Sequence, residues 1–210
     1  FKALLFLCAG SVIVGMHHVQ DMRKMGGLKR YLPITYGCFL IGALALSAIP
    51  PFSGFYSKDA IIEAVHLSSI PGAHYAYGCL LLGAFVTAYY IFRAFFMTFH
   101  GEERFDESTR SHLKEYPAMW IPLIVLAVPS LLLGGFYIVP MLFTAPSLLG
   151  SSVSVAPQHD VLLALKSHFH GVGAYALHAF QTLPFWLVVL GIVTAWYNTW
   201  VSWVLPRWLS

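Results

Sequence analysis

The stretch from Leu32 to His66 is almost continuously apolar, and its length is the first constraint on the fold. As a single α-helix it would run about 50 Å, well beyond the ~30 Å hydrocarbon core of a bilayer, yet it is too short to cross and return. Something has to interrupt it. The segment IPPFSGFYSKDAI, residues 49 to 61, holds the interruption. Pro50 and Pro51 each lack a backbone N–H and push the preceding residue out of the helical region, and Gly54 adds backbone freedom, so the break is expected at residues 49–54. Starting near Leu32, the chain has by then climbed about 22 Å. Unwound backbone at that depth survives only when buried in protein or lining a wet cavity.

Composition puts the rest of the chain in the same setting. Of its 210 residues, 58% are hydrophobic and 10% charged, too little polar surface to cover a soluble globule. Trp120, Trp186, Trp200 and Trp203 suit the boundary between lipid and water. A net charge of +3 gives no basis for binding nucleic acid. Five apolar segments are separable, at residues 1–16, 32–66, 74–99, 118–143 and 183–205. Because backbone groups in lipid must be bonded internally, these are expected to be helices. The fold class is then all-α, a polytopic transmembrane bundle with one discontinuous, proline-broken helix.

Orientation follows from the loops. Arg23, Lys24, Lys29 and Arg30 lie in one connection, Arg104, Arg110 and Lys114 in another, and Arg207 follows the last span, whereas 67–73 and 144–182 hold only Lys166. The basic loops are therefore expected on the cytoplasmic side, in agreement with simple alternation of five spans. Segment 144–182 is too polar to span; VLLALKSHFHGVGAYALHAF within it suits a surface helix or a loop packed on the bundle. Gly26-Gly27 reads as a turn, and GEERFDE at 101–107 as a solvated loop. Cys8, Cys38 and Cys79 are odd in number and without a CxxC pair, so they read as small core residues. The chain opens inside an apolar run without an initiating Met, as a segment of a longer protein would.

Lys58 follows the break inside the membrane, where insertion of a lysine costs about 2.5–3.5 kcal/mol, so it needs a partner or a role. Asp59, one residue on, is not expected on its face, and Glu63 lies five positions on, which leaves an acid or water from another helix as partner. Lys2 stands fifteen residues before His17, roughly 22 Å of helix, and is also expected deep in the membrane. Two such lysines form a candidate chain of protonatable sites. The competing reading is that Lys58 snorkels to the far interface, as Arg93 is expected to do about 10 Å from the end of its span. His17 and His18, at the membrane edge, could pass protons near neutral pH or simply serve a cap or loop contact. His159, His168, His170 and His178 lack the Cys residues or helical i, i+4 pair of a metal site and read as surface residues. No phosphate loop, dinucleotide fingerprint or nucleophile elbow is present.

FKALLFLCAGSVI, then HHVQDMRKMGGL, then ALSAIPPFSGFYSKDAI closely resemble the family of the largest antiporter-like subunit of respiratory complex I, found as bacterial subunit L and mitochondrial subunit 5. The resemblance runs from Phe1 to about Gly101, with the bacterial form nearer; beyond that it rests on helix order. One departure is Val19, where the family commonly has glutamate in an HHEQD stretch, although Asp21 remains. The resemblance implies that residues 1–143 are the second half of the antiporter-like core, 144–182 a non-cytoplasmic loop, and 183–210 the start of a C-terminal extension. The family's first broken helix would precede Phe1, and its lateral helix would follow Ser210. It assigns Lys2 to the central hydrophilic axis and Lys58 to proton exit, with Asp59, His17 and His18 as further candidates.

The implied function is proton translocation as a membrane subunit of NADH:quinone oxidoreductase, through buried lysines and water, in the bacterial inner membrane. The implied partners are lipid and the other membrane subunits of complex I, especially the adjacent antiporter-like one. NADH, FMN, iron-sulfur clusters and quinone would be bound by other subunits, with no cofactor in this chain. The alternatives are a subunit of a multisubunit cation/proton antiporter or membrane-bound hydrogenase, and a structural membrane anchor whose lysines only make ion pairs.

Overall fold

The computed structural model describes residues 1–144 and 160–204, and all the regular structure among them is helical. The helices are α1 (Lys2–Gly15), α2 (Pro33–Leu46), α3 (Ser53–Leu67), α4 (Ala73–Phe99), α5 (Glu107–His112), α6 (Pro117–Ile138), α7 (Leu162–His168), α8 (Val172–His178) and α9 (Leu183–Val204). α4, α9 and α6 with its continuation are long and apolar enough to cross a membrane. α6 holds Pro122 and Pro129 and runs on through a wider π-helical turn, Val139–Phe143.

The apolar stretch from Leu32 to His66 is two helices, α2 and α3. Residues 47–52 separate them, so the break begins earlier than the prolines alone indicate, and Ser53 and Gly54 are already helical. The two halves nonetheless touch. Gly54 sits so close to the Ala45 carbonyl of α2 that a β-carbon would collide with it. α6 crosses the start of α3 at a similar approach, with Gly134 against the Ser53 backbone. Small residues let helix backbones meet this way in membrane bundles.

Aromatic side chains fill the space between α2 and α4. Phe39 and Tyr36 stack on Phe95, and Phe99 meets both edge-on. Ser11 of α1 and Thr35 of α2 share a buried hydrogen bond of 3.1 Å. α4 lies along α9 with Ala84, Ala88 and Ala195 fully buried near the contact. Cys8 and Cys38 are core residues, but Cys79 is exposed on α4, because its helix face has no neighbour in this chain.

The two basic loops meet at one end of the bundle. The Arg104 guanidinium donates to the Met25 and Met97 carbonyls, the Gly27 amide donates to His100, and Tyr31 donates to Glu103. GEERFDE is therefore not a loose solvated loop; its Glu103 and Arg104 fasten one loop to the other. At the other end, α7 and α8 pack on α3. Leu165, Tyr175 and Ala179 are buried there with Phe55, Tyr56 and Ala60. Arg207 and His159 lie outside the described residues, as do the side chains of Trp203 and His168.

Candidate functional site: the broken helix and its polar face

The site is built on the break. Ala48 adopts a left-handed conformation, φ 61°, and the Ile49 amide reaches back to the Leu44 carbonyl, which closes α2. A residue with a β-carbon in that region costs roughly 1–2 kcal/mol, so surrounding packing must hold it. The Ser47 hydroxyl beside it is fully buried with no hydrogen-bond partner among the described residues. The negative end of α2 and the positive end of α3 thus converge on unwound backbone.

Lys58 lies in the second turn of α3, half-buried, about 8 Å beyond the start of the helix. It lines a narrow crevice between α3, α4 and the start of α9, with Ala48 at one side and Thr182 and Pro184 at the other. The crevice encloses about 10 Å³, the room of a single water. Among the described residues Lys58 makes neither an ion pair nor a hydrogen bond. Asp59 lines the same crevice. The two residues reach it from adjacent stripes of α3, and no ion pair joins them among the described residues, in keeping with their one-residue spacing.

Asp59 is half-buried and looks the other way as well. Its electrostatic neighbours are Tyr175 and His178 of α8 and Glu63 one turn on. The Tyr175 hydroxyl lies buried beside Asp59 without a hydrogen bond of full geometry. His66 continues the row, its ring 4.7 Å from that of Tyr77. Glu63 is readable from the spacing of α3, but nothing in the sequence brings Tyr175 and His178 to it: α8 is more than a hundred residues from α3, and nothing in its spacing names the helix it covers.

The other candidates are placed elsewhere. Lys2 is exposed on the first turn of α1, and the Lys58 crevice is not lined by it. The neighbouring Phe1 ring reaches the start of α3 at Gly54, so Lys2 stands at the depth of the break. His17 and His18 are exposed at the far end of α1 in left-handed conformations, φ 51° and 67°, where their amides donate to the Val14 and Ile13 carbonyls. Asp21 pairs with Arg23 in the open loop that follows; the guanidinium holds its carboxyl below the usual range. No group of three His, Cys, Asp or Glu among the described residues is arranged to hold a metal.

A broken helix with a lysine beyond it that is unpaired among the described residues, and acids on the same half-helix, is an arrangement from which membrane proteins build ion sites. Comparison with known proteins narrows this class. Residues 1–100 match the family described as NADH:quinone oxidoreductase/Mrp antiporter, transmembrane. NADH-quinone oxidoreductase subunit L of Neisseria meningitidis serogroup A is 44% identical over 93% of this chain and 32% of its own length. The subunit L of Mycobacterium tuberculosis is 40% identical over 99% of this chain and 30% of its own, and NADH-ubiquinone oxidoreductase chain 5 of Phytophthora infestans 47% identical over 64% and 20%. Over residues 1–100 the chain is similar to this family of membrane subunits, and it spans about a third or less of the length of these relatives.

Proposed function

We propose that this chain forms part of a proton-translocating membrane subunit of an NADH:quinone oxidoreductase, and that Lys58 is the group that takes up a proton and releases it on the non-cytoplasmic side. The observation that carries this reading is a lysine half-buried beyond a broken helix, in a crevice sized for water, with no ion pair among the described residues. A lysine kept only as an anchor would have a carboxylate within reach of its ammonium; Asp59 lines the same crevice yet forms no bridge to it.

Lys2, at the depth of the break, supplies the proton through water, and Asp59 receives it from Lys58. Moving one charge against 100 mV needs about 2.3 kcal/mol, supplied by electron transfer in other subunits, where NADH, FMN, iron-sulfur clusters and quinone are bound. His17 and His18 sit at the entry side. The chain works in a bacterial inner membrane beside the adjacent antiporter-like subunit, with lipid covering its exposed apolar faces. The test is proton pumping by the assembled complex carrying Lys58→Ala and, separately, Lys2→Ala, with assembly checked. Both variants assemble and lose pumping on this reading; pumping unchanged in Lys58→Ala rejects it.

A further inference from the structure

The face of α3 beyond Lys58 is a row of titratable groups. Asp59, Glu63 and His66 are spaced four and three residues apart, so they share one stripe, and the row climbs about 10 Å from Asp59 to His66. α8 closes over this stripe with Tyr175 and His178. Two cavities adjoin it. One, of about 290 Å³, is lined by Glu63, His170, Tyr175 and His178. The other, of about 240 Å³, is lined by Asp59, Glu63, His66, Tyr77 and His178. Glu63 and His178 line both, and Asp59 joins the second cavity to the Lys58 crevice. Among the described residues, no lysine or arginine lines either cavity. Glu63 is half-buried and His178 exposed, so the row opens outward.

We infer that Glu63 and His178 form the proton outlet of this subunit, carrying the proton from Asp59 to water on the non-cytoplasmic side. The inference rests on the role proposed for Lys58. The Lys58 ammonium gives its proton to water in the crevice and the Asp59 carboxylate takes it; Asp59 passes it to the Glu63 carboxylate, and Glu63 to the neutral His178 imidazole. The imidazolium releases it to bulk water, which returns Asp59, Glu63 and His178 to their starting forms, and the Lys58 amine is recharged by the next proton delivered through water from Lys2. Imidazole suits the last position because it loads and unloads near neutral pH. The groups that face His178 are Asp59, Glu63 and His66 from α3, Tyr77 from α4, and Tyr175 and His170 from α8 and its approach. The segment holding α8 is then part of the path as well as a cover for α3.

The experiment uses the complete complex in proteoliposomes, cytoplasmic side outward, with the protons moved per NADH oxidised followed as lumenal pH is varied. Glu63→Gln and His178→Gln each reduce pumping roughly tenfold. The double variant is no worse than the more severe single one, since both act in one path. Glu63→Asp restores pumping, which a purely structural role would not require. In the wild type, pumping declines as the lumen is acidified, and in His178→Gln this dependence is flattened. Should Glu63→Gln fail to assemble, the exposed His178 decides alone. Normal pumping with an unchanged pH profile in His178→Gln, alongside an inactive Lys58→Ala, overturns the outlet and leaves the lysine reading intact. Normal pumping in Lys58→Ala overturns the lysine reading itself.

Discussion

Gly54 and the Ala45 carbonyl are in such close contact that no β-carbon fits between them, which fastens the first turn of α3 to the last turn of α2 across the break. The discontinuous helix is therefore two rigid halves locked edge to edge, with Ala48 and the buried Ser47 hydroxyl held beside the Lys58 crevice.

Gly54→Ala must displace backbone, since the atom it meets is a carbonyl and cannot rotate away. Overpacking of this kind costs about 1–3 kcal/mol. The expected result is less assembled complex and a lower thermal midpoint, read by blue-native electrophoresis and a melting curve. An unchanged midpoint would mean the halves are free to slide.

Glu115, in the loop between α5 and α6, accepts hydrogen bonds from the Ile34 and Thr35 amides at 3.1 and 2.7 Å and so caps the start of α2 from eighty residues away. A carboxylate at a helix N-terminus satisfies orphan amides and the helix dipole together. Glu115→Ala is expected to cost about 1–2 kcal/mol, seen as a lower melting midpoint, and Glu115→Gln to recover most of it. Equal losses in both variants would show that charge, rather than the acceptor oxygen, matters.

His100 stands just past the end of α4, among Tyr36, Phe95 and Phe96, its Nε2 buried with no hydrogen-bond partner among the described residues. Burial, and then the charge of Lys29, push its imidazole below the ordinary range. The folded state therefore holds the neutral form more strongly than the unfolded chain does. Its stabilisation is complete above the ordinary imidazole range and is lost as pH falls through the lowered value. The Gly27 amide, which donates to the His100 carbonyl at 3.2 Å, reports on it. Hydrogen exchange at Gly27, corrected for intrinsic rate, should lose protection on acidification, and His100→Phe should abolish that dependence. Equal acid sensitivity in both proteins would remove His100 as the cause.

Much of this organisation is legible in the sequence because it rests on local rules. Two prolines and a span of impossible length locate the break to within a few residues, and hydropathy finds α4, α6 and α9 almost to their ends. What local rules miss is side chains delivered from a distance. Spacing on α3 says that Asp59 and Glu63 share a stripe, but only the packing of α8 puts Tyr175 and His178 against it. The Glu115 cap is invisible for the same reason. Helical periodicity separates the faces of Lys58 and Asp59, and only the meeting of three helices puts both on one crevice. Cys79 was misplaced because an apolar helix face in a membrane need not be covered by the same chain.

The decisive measurement is the number of protons moved per NADH oxidised by complex carrying Lys58→Ala, in proteoliposomes, with electron transfer to a soluble acceptor measured in the same preparation. Loss of pumping in a fully assembled complex that still passes electrons to that acceptor is the predicted result. A normal proton yield from the same complex would contradict it, leaving Lys58 as a side chain that reaches the interface and carries no proton.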